Sequence, residues 1–378
     1  MNDPEPPQHQ PAQDHGTSRL GTARRLLHPV QIRDSLEFTR QPTLRNSALA
    51  GLQAAMTAAI ALPLVYLSPW ADLIGFAALG ALVALFGRFA PERQRNRIVL
   101  HCALLQTLAV LVMSLIAFMG TPIEIQLVIL AISCGVFFLA SVSRGFGAPG
   151  ALIFVFAAGA SMDAASSLAG VFERTAATAI VAALAWAICA ATEPLRHRAT
   201  ADMPAPDGTT RPLSQGLAAA GRIIVGAAVA VFVSHALGAD HPAWAAMGSV
   251  AVMQGAHLHI SMNRALQRMM GTVVGALLAW LLLTYAPSIW TLIAILVVMQ
   301  FATELIIGAN YGLGQILVTP MALLMSHLAS PAATGAALAL ERVIDTALGA
   351  SSGIILAIIF STLKDRRDLA ERHARRGP

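Results

Sequence analysis

Residues 88–118 read RFAPERQRNRIVLHCALLQTLAVLVMSLIAF. Arg88, Arg93, Arg95 and Arg97 stand together, and the 21 residues from Ile98 to Phe118 then carry no Asp, Glu, Lys or Arg. A helix of that length rises about 30 Å, the thickness of a bilayer's hydrocarbon core, and arginines at its start hold that end on the cytoplasmic side. The same alternation runs through the chain. Apolar stretches lie at 46–67, 70–87, 98–118, 123–141, 148–163 and 174–191. After a polar, proline-containing linker they resume at 216–237, 243–257, 271–286, 289–307, 312–329 and 342–361. Those near 148, 243 and 271 are short for a full crossing.

Composition agrees. Only 12% of the 378 residues are charged, 56% are apolar, and the mean hydropathy is +0.65. A soluble domain carries roughly 25% charged residues, so here the apolar excess must face lipid, and disorder is excluded. Cys102, Cys134 and Cys189 all lie inside apolar runs, which rules out a disulfide framework or a cysteine metal cluster. The expected fold is an all-α integral membrane protein of about 12 transmembrane helices.

The net charge of +5 invites a nucleic-acid reading, but the arginines sit between apolar segments and not on one face. With the amino terminus inside, 23 of the 25 basic residues fall on the cytoplasmic side, leaving only Arg174 and Arg342 outside. That bias places both termini in the cytoplasm. The organisation expected is a cytoplasmic tail (1–44) with an interfacial helix around Leu26, Leu27, Val30, Ile32, Leu36 and Phe38, a first six-helix unit (45–192), a cytoplasmic linker (193–214), a second unit (215–361) and a basic cytoplasmic tail (362–378).

The two units echo each other. Ser68-Pro69-Trp70-Ala71 answers His241-Pro242-Ala243-Trp244-Ala245, Arg95 answers Arg268, Gly145 to Pro149 answer Gly312 to Pro320, and Glu173-Arg174-Thr175 answers Glu341-Arg342-Val343. Units with an even number of spans share one orientation, so a pseudo-twofold along the membrane normal is expected, with Trp70 and Trp244 at equivalent outer positions.

Gly238-Ala-Asp-His-Pro-Ala-Trp244, then Arg268-Met-Met-Gly271-Thr272-Val-Val-Gly275, then Arg342-Val-Ile-Asp345-Thr-Ala-Leu-Gly349 resemble the FUSC family, the fusaric acid resistance and aromatic acid exporter group. The second half carries the resemblance. In the first, Arg95 is followed by Asn96-Arg97, without Gly-Thr. The resemblance implies an inner-membrane exporter or channel of organic anions, akin to plant aluminium-activated malate channels. Many members carry a large soluble domain, for which the 193–214 linker leaves no room.

Several motifs carry no chemistry. Gly145-Phe-Gly147-Ala-Pro-Gly150 matches a dinucleotide fingerprint as text but follows no strand, His9 and Asp14 have an acyltransferase spacing in a tail, and no Walker-type phosphate loop exists. His257 and His259 lack further converging ligands. No cofactor, metal or catalytic group is therefore expected, and uphill transport must draw on an ion gradient or on a partner.

The sharpest signal is charge at bilayer depth, which costs roughly 2.5–3.5 kcal/mol per residue and so turns towards a cavity or a partner. Arg174, Arg342 and Trp244 are the expected substrate contacts. Asp345, Glu341 and Glu304 are candidates for proton coupling, with Arg342 and Asp345 three apart on a helix and able to pair. Gly147, Pro149, Gly314 and Pro320 mark expected interruptions of two equivalent spans, and Arg268, Gly271 and Thr272 a gating or structural element. The function expected is export of small aromatic or hydrophobic organic acids, driven by the proton gradient. The alternatives are a passive anion channel and an accessory or scaffold protein. A lipid-modifying transferase would need a dense Asp/His cluster, and none is present. The expected partners are the organic anion and the bilayer. Assembly as a homo-oligomer or with a periplasmic adaptor stays open.

Overall fold

The computed structural model describes residues 18–28, 35, 43–91, 94–197, 212–255, 257–329 and 335–376. Most of the expected tail, the 198–211 part of the linker, Arg93, and the tail residues Val30, Ile32, Leu36 and Phe38 lie outside them. The described residues are helical and hold no β-strand: α1 (Arg19–Leu26), α2 (Leu44–Tyr66), α3 (Ile74–Ala81), α4 (Arg95–Phe118), α5 (Ile123–Ser143), α6 (Leu152–Ala160), α7 (Leu168–Ala191), α8 (Leu213–Ala236), α9 (Ala243–Met253), α10 (Leu258–Thr284), α11 (Ile289–Ile306), α12 (Tyr311–Ala329), α13 (Gly335–Ile359) and α14 (Leu363–Arg376).

Eight of these, α2, α4, α5, α7, α8, α10, α11 and α13, are long and apolar enough to cross a membrane. Their outer faces are apolar in helical register. Val128, Ile132 and Val136 form such a stripe on α5, and Leu100, Leu104 and Leu108 another on α4, all exposed. This is an all-α, multi-pass membrane protein.

Eight long spans are fewer than the twelve segments expected, and the difference falls on α12 and on three short helices. The nine residues of α6 rise only about 13 Å, and α3 and α9 are likewise too short to span the hydrocarbon by themselves. All of α3, two thirds of α6 and nearly all of α9 are buried, so these helices are wrapped by the long ones and meet little lipid. The stretch at 271–286, which reads as short, is the end of a 27-residue helix that begins at Leu258.

The halves use matching contacts. α4 packs on α6 and α7 as α10 packs on α12 and α13, while α3 crosses α7 as α9 crosses α13. Between halves, α2 packs on α11 and α8 on α5. At an offset of 168, Gly248 follows Gly80 and Thr346 follows Thr178. A Cβ on Gly80 would lie 2.6 Å from the Thr178 carbonyl oxygen, and one on Gly248 3.1 Å from that of Thr346. Only glycine permits both crossings.

The offset corrects one equivalence. It pairs Trp244 with Phe76, not with Trp70. Trp244 is buried and Trp70 is 53% exposed, because the first half enters its short helix through an additional 3-10 turn at Ala71–Leu73.

Candidate functional site

The interior holds a cavity of about 1000 Å³ between the halves. Its wall includes the end of the α3 segment, the Gly145–Gly150 turn, α9, the start of α10, the end of α11, α12 and one residue each of α13 and α14. Gly145, Gly147 and Gly150 have positive φ, which folds this turn back on itself between α5 and α6.

Charge around the cavity is one-sided. Arg88, Arg264, Arg268, Arg342 and Arg372 line it, and among the described residues Glu304 is the single acidic lining group. Arg88 donates to the Glu304 carboxylate, and both side chains are buried. Arg268 donates to the Tyr311 hydroxyl at 3.1 Å, and Arg372 meets the His259 ring at 3.0 Å. The Nε atoms of Arg88, Arg268 and Arg342 and the amide nitrogens of Gln254 and Gln300 are buried with no protein acceptor. All five donors belong to lining residues. Unmet buried donors of this kind are costly in a dry interior, and water or an anion would satisfy them.

Arg342 is almost fully buried, and its guanidinium lies 5.0 Å from the Trp244 ring centre. The other side of this cluster reaches the connection before α9. His241 stacks on Trp244 with ring centres 4.5 Å apart, and Glu341 accepts from the His241 backbone N–H at 2.6 Å and pairs with its Nδ1 at 2.9 Å. Burial lowers the His241 pKa, but the bond to Glu341, its charge, and the nearby Asp163 and Asp240 together raise it above the ordinary imidazole value.

The expected site residues divide. Arg342, Glu304 and Arg268 reach the cavity, and so do Gly147 and Pro149; Trp244 and Glu341 stand immediately behind Arg342. Arg174 does not line it: its guanidinium donates to the Asp163 carbonyl at 2.6 Å and lies 5.1 Å from the Phe76 ring. Asp345 makes no ion pair with Arg342. It accepts from the Ser234 hydroxyl at 2.7 Å, and Glu341 turns instead to His241. Asp163 and Glu173 are exposed.

Gly314 and Pro320 lie within one continuous helix, so the two halves are not interrupted alike. A Cβ on Gly314 would lie 2.5 Å from the Ile307 side chain, and one on Gly271 2.6 Å from the Gly312 carbonyl oxygen. The role of Gly271, with Thr272 hydrogen-bonded to Thr319 at 3.4 Å, is thus to let α10 cross α12 closely.

Two buried arginines read otherwise in the sequence, and one of them lines the cavity. Arg88 looks like one more positive-inside arginine, and its proximity to Glu304, 216 positions later, leaves no local signal. Arg95, the repeat counterpart of Arg268, is buried but bonded to Gln53 and to the carbonyls of Ala84 and Phe86, so it braces the first half.

Residues 229–356 match the family described as fusaric acid resistance protein-like. The matched segment holds Arg264, Arg268, Glu304, Tyr311 and Arg342 of the cavity wall, and Trp244 against Arg342. In the fusaric acid resistance-like segment, the Arg-x-x-Gly-Thr pattern puts the arginine on the cavity and the glycine at a helix crossing. The chain is also 29% identical over 112 residues to the uncharacterized membrane protein YvaC of Bacillus subtilis (strain 168), an alignment covering 30% of this chain and 18% of that protein. No solved structure matches.

Proposed function

We propose that the protein exports small organic anions, aromatic or otherwise partly hydrophobic carboxylates, across the bacterial inner membrane. The observation that carries this reading is the cavity wall: five arginines face one carboxylate, and five buried nitrogen donors lack an acceptor. Phe89, Phe138, Phe156, Met321 and Met325 supply apolar wall beside these cations, which suits a ring or short chain bearing a carboxylate.

Orientation follows from the arginines. With both termini and the 193–214 linker cytoplasmic, the lining residues Arg264 and Arg372 and the Gly145–Gly150 turn lie at the cytoplasmic end, so substrate enters from inside. Arg342 stands at the far end. Trp244, which it covers, is buried and is not part of the wall, which favours a carrier with a closed outer end over an open channel. The paired contacts of the two halves favour a rocking motion about a pseudo-twofold between two six-helix units. The drive is the proton-motive force, because the chain has no nucleotide-binding motif. Of the carboxyls considered for proton coupling, Glu341 lies at the outer end, where protons arrive, in contact with His241.

A deletion strain grown against a panel of aromatic and aliphatic acids tests the proposal. Sensitivity to aromatic acids, restored by the wild-type gene but not by Arg342→Gln, is the expected result. Unchanged growth on every acid would overturn it.

A further inference from the structure

Glu304 is the one feature of the cavity that works against an anion. It is buried and is held by Arg88. α2 closes over it so tightly that a Cβ on Gly51 would lie 2.9 Å from the Glu304 Cβ, while Gln300 and Thr303 flank it on its own helix. A carboxylate in that position already does what a substrate carboxylate would do.

We propose that Glu304 is a tethered rival of the substrate: the carboxylate of the bound anion competes with it for Arg88. This rests on the anion-export reading above and adds to it the residue that limits affinity. The argument is one of charge balance. Arg88 in a low-dielectric interior gains little from two carboxylates at once, because they repel each other as each approaches it. A Glu304 carboxylate displaced from Arg88 is a buried charge without its partner, so the exchange costs the substrate affinity. Such a rival also speeds release, since Glu304 takes back Arg88 as the anion departs. A site built from arginines alone would hold its cargo in the ground state and turn over slowly.

The rival and a merely structural pair predict different kinetics. In Glu304→Gln the substrate meets no competitor, so benzoate affinity rises about tenfold, the equivalent of one lost charge-assisted contact to Arg88, while the turnover of benzoate transport falls. Glu304→Asp, whose shorter carboxylate reaches Arg88 poorly, moves in the same direction by less and keeps the test open should the Gln variant not fold. In Arg88→Gln/Glu304→Gln the gain disappears, because the contested cation is gone.

The experiment is calorimetric titration of the purified full-length chain with benzoate, alongside benzoate flux in proteoliposomes. Tighter binding with slower turnover in Glu304→Gln, or a smaller shift of both in Glu304→Asp, and loss of the gain in the double variant are the expected results. Wild-type binding with unchanged or weaker affinity in folded Glu304→Gln and Glu304→Asp would overturn the rival and leave the anion cavity standing. Absence of benzoate binding in the wild type and in every variant would overturn the anion cavity, and the rival with it.

Discussion

The guanidinium of Arg342 lies 5.0 Å from the ring centre of Trp244, and 168 residues earlier Arg174 lies 5.1 Å from Phe76. The two halves thus keep the same arginine over the same aromatic position, on equivalent helices. They use it differently. Arg174 is spent on the Asp163 carbonyl, while Arg342 lines the cavity with its Nε unbonded. An aromatic face that holds a desolvated guanidinium is worth about 2 kcal/mol, enough to fix where Arg342 points.

Trp244 is therefore expected to set benzoate affinity through Arg342. Trp244→Ala should weaken binding about thirtyfold, the loss of a cation–π contact of that size. Trp244→Phe, which restores the ring that the first half uses, should retain most of it. Titration of the purified variants checks this, and equal affinity in Trp244→Ala and Trp244→Phe would count against a positioning role.

The crossing of α9 and α13 depends on glycine. A Cβ at Gly349 would lie 2.0 Å from the Ala245 carbonyl oxygen, so Gly349→Ala forces the helices apart and should cost about 1–3 kcal/mol. A Cβ at Gly221 on α8 meets nothing within 4 Å. Gly221→Ala should be neutral or stabilising by up to about 1 kcal/mol. Thermal unfolding in detergent, followed by size-exclusion chromatography, separates the two; equal melting temperatures would contradict the crossing.

How much of this the sequence discloses differs by level. The long spans are legible because 20 apolar residues between arginines have one physical solution in lipid. The short helices are not, because burial in protein and burial in lipid ask for the same apolar residues, and 70–87 or 148–163 reads equally well as either. Arg342 stands out as a cation against the positive-inside rule. Arg88 and Arg268 do not, since an arginine at a cytoplasmic helix end is expected whether it faces water or a cavity. The misplaced equivalence of Trp70 and Trp244 has a similar cause: a Pro-Trp pair near a turn is easily matched by eye, whereas Gly80 with Gly248 is visible only once the helices cross. The expected Arg342–Asp345 pair failed because spacing on one helix says nothing of Ser234 and His241 on neighbouring segments, which take up Asp345 and Glu341 instead.

The His241–Glu341 contact makes stability depend on pH. The pKa of His241 is raised in the folded protein, so its contribution is complete below the unfolded imidazole value of about 6.5 and is lost as pH rises through the higher folded value. The contact is partly exposed, so about 1 kcal/mol at most is at stake. The melting temperature should fall more steeply above about pH 6.5 in the wild type than in His241→Gln. Parallel profiles would show that Glu341 does not hold the imidazolium.

Labelled benzoate flux in proteoliposomes, compared between the wild type, Arg342→Gln and Arg174→Gln, tests the central claim most directly. The account predicts benzoate movement by the wild type, a loss of about tenfold or more in Arg342→Gln, where a cation of the cavity is removed, and near-normal flux in Arg174→Gln, whose guanidinium lies outside it. Full flux in Arg342→Gln, or no benzoate movement by the wild type, would contradict it.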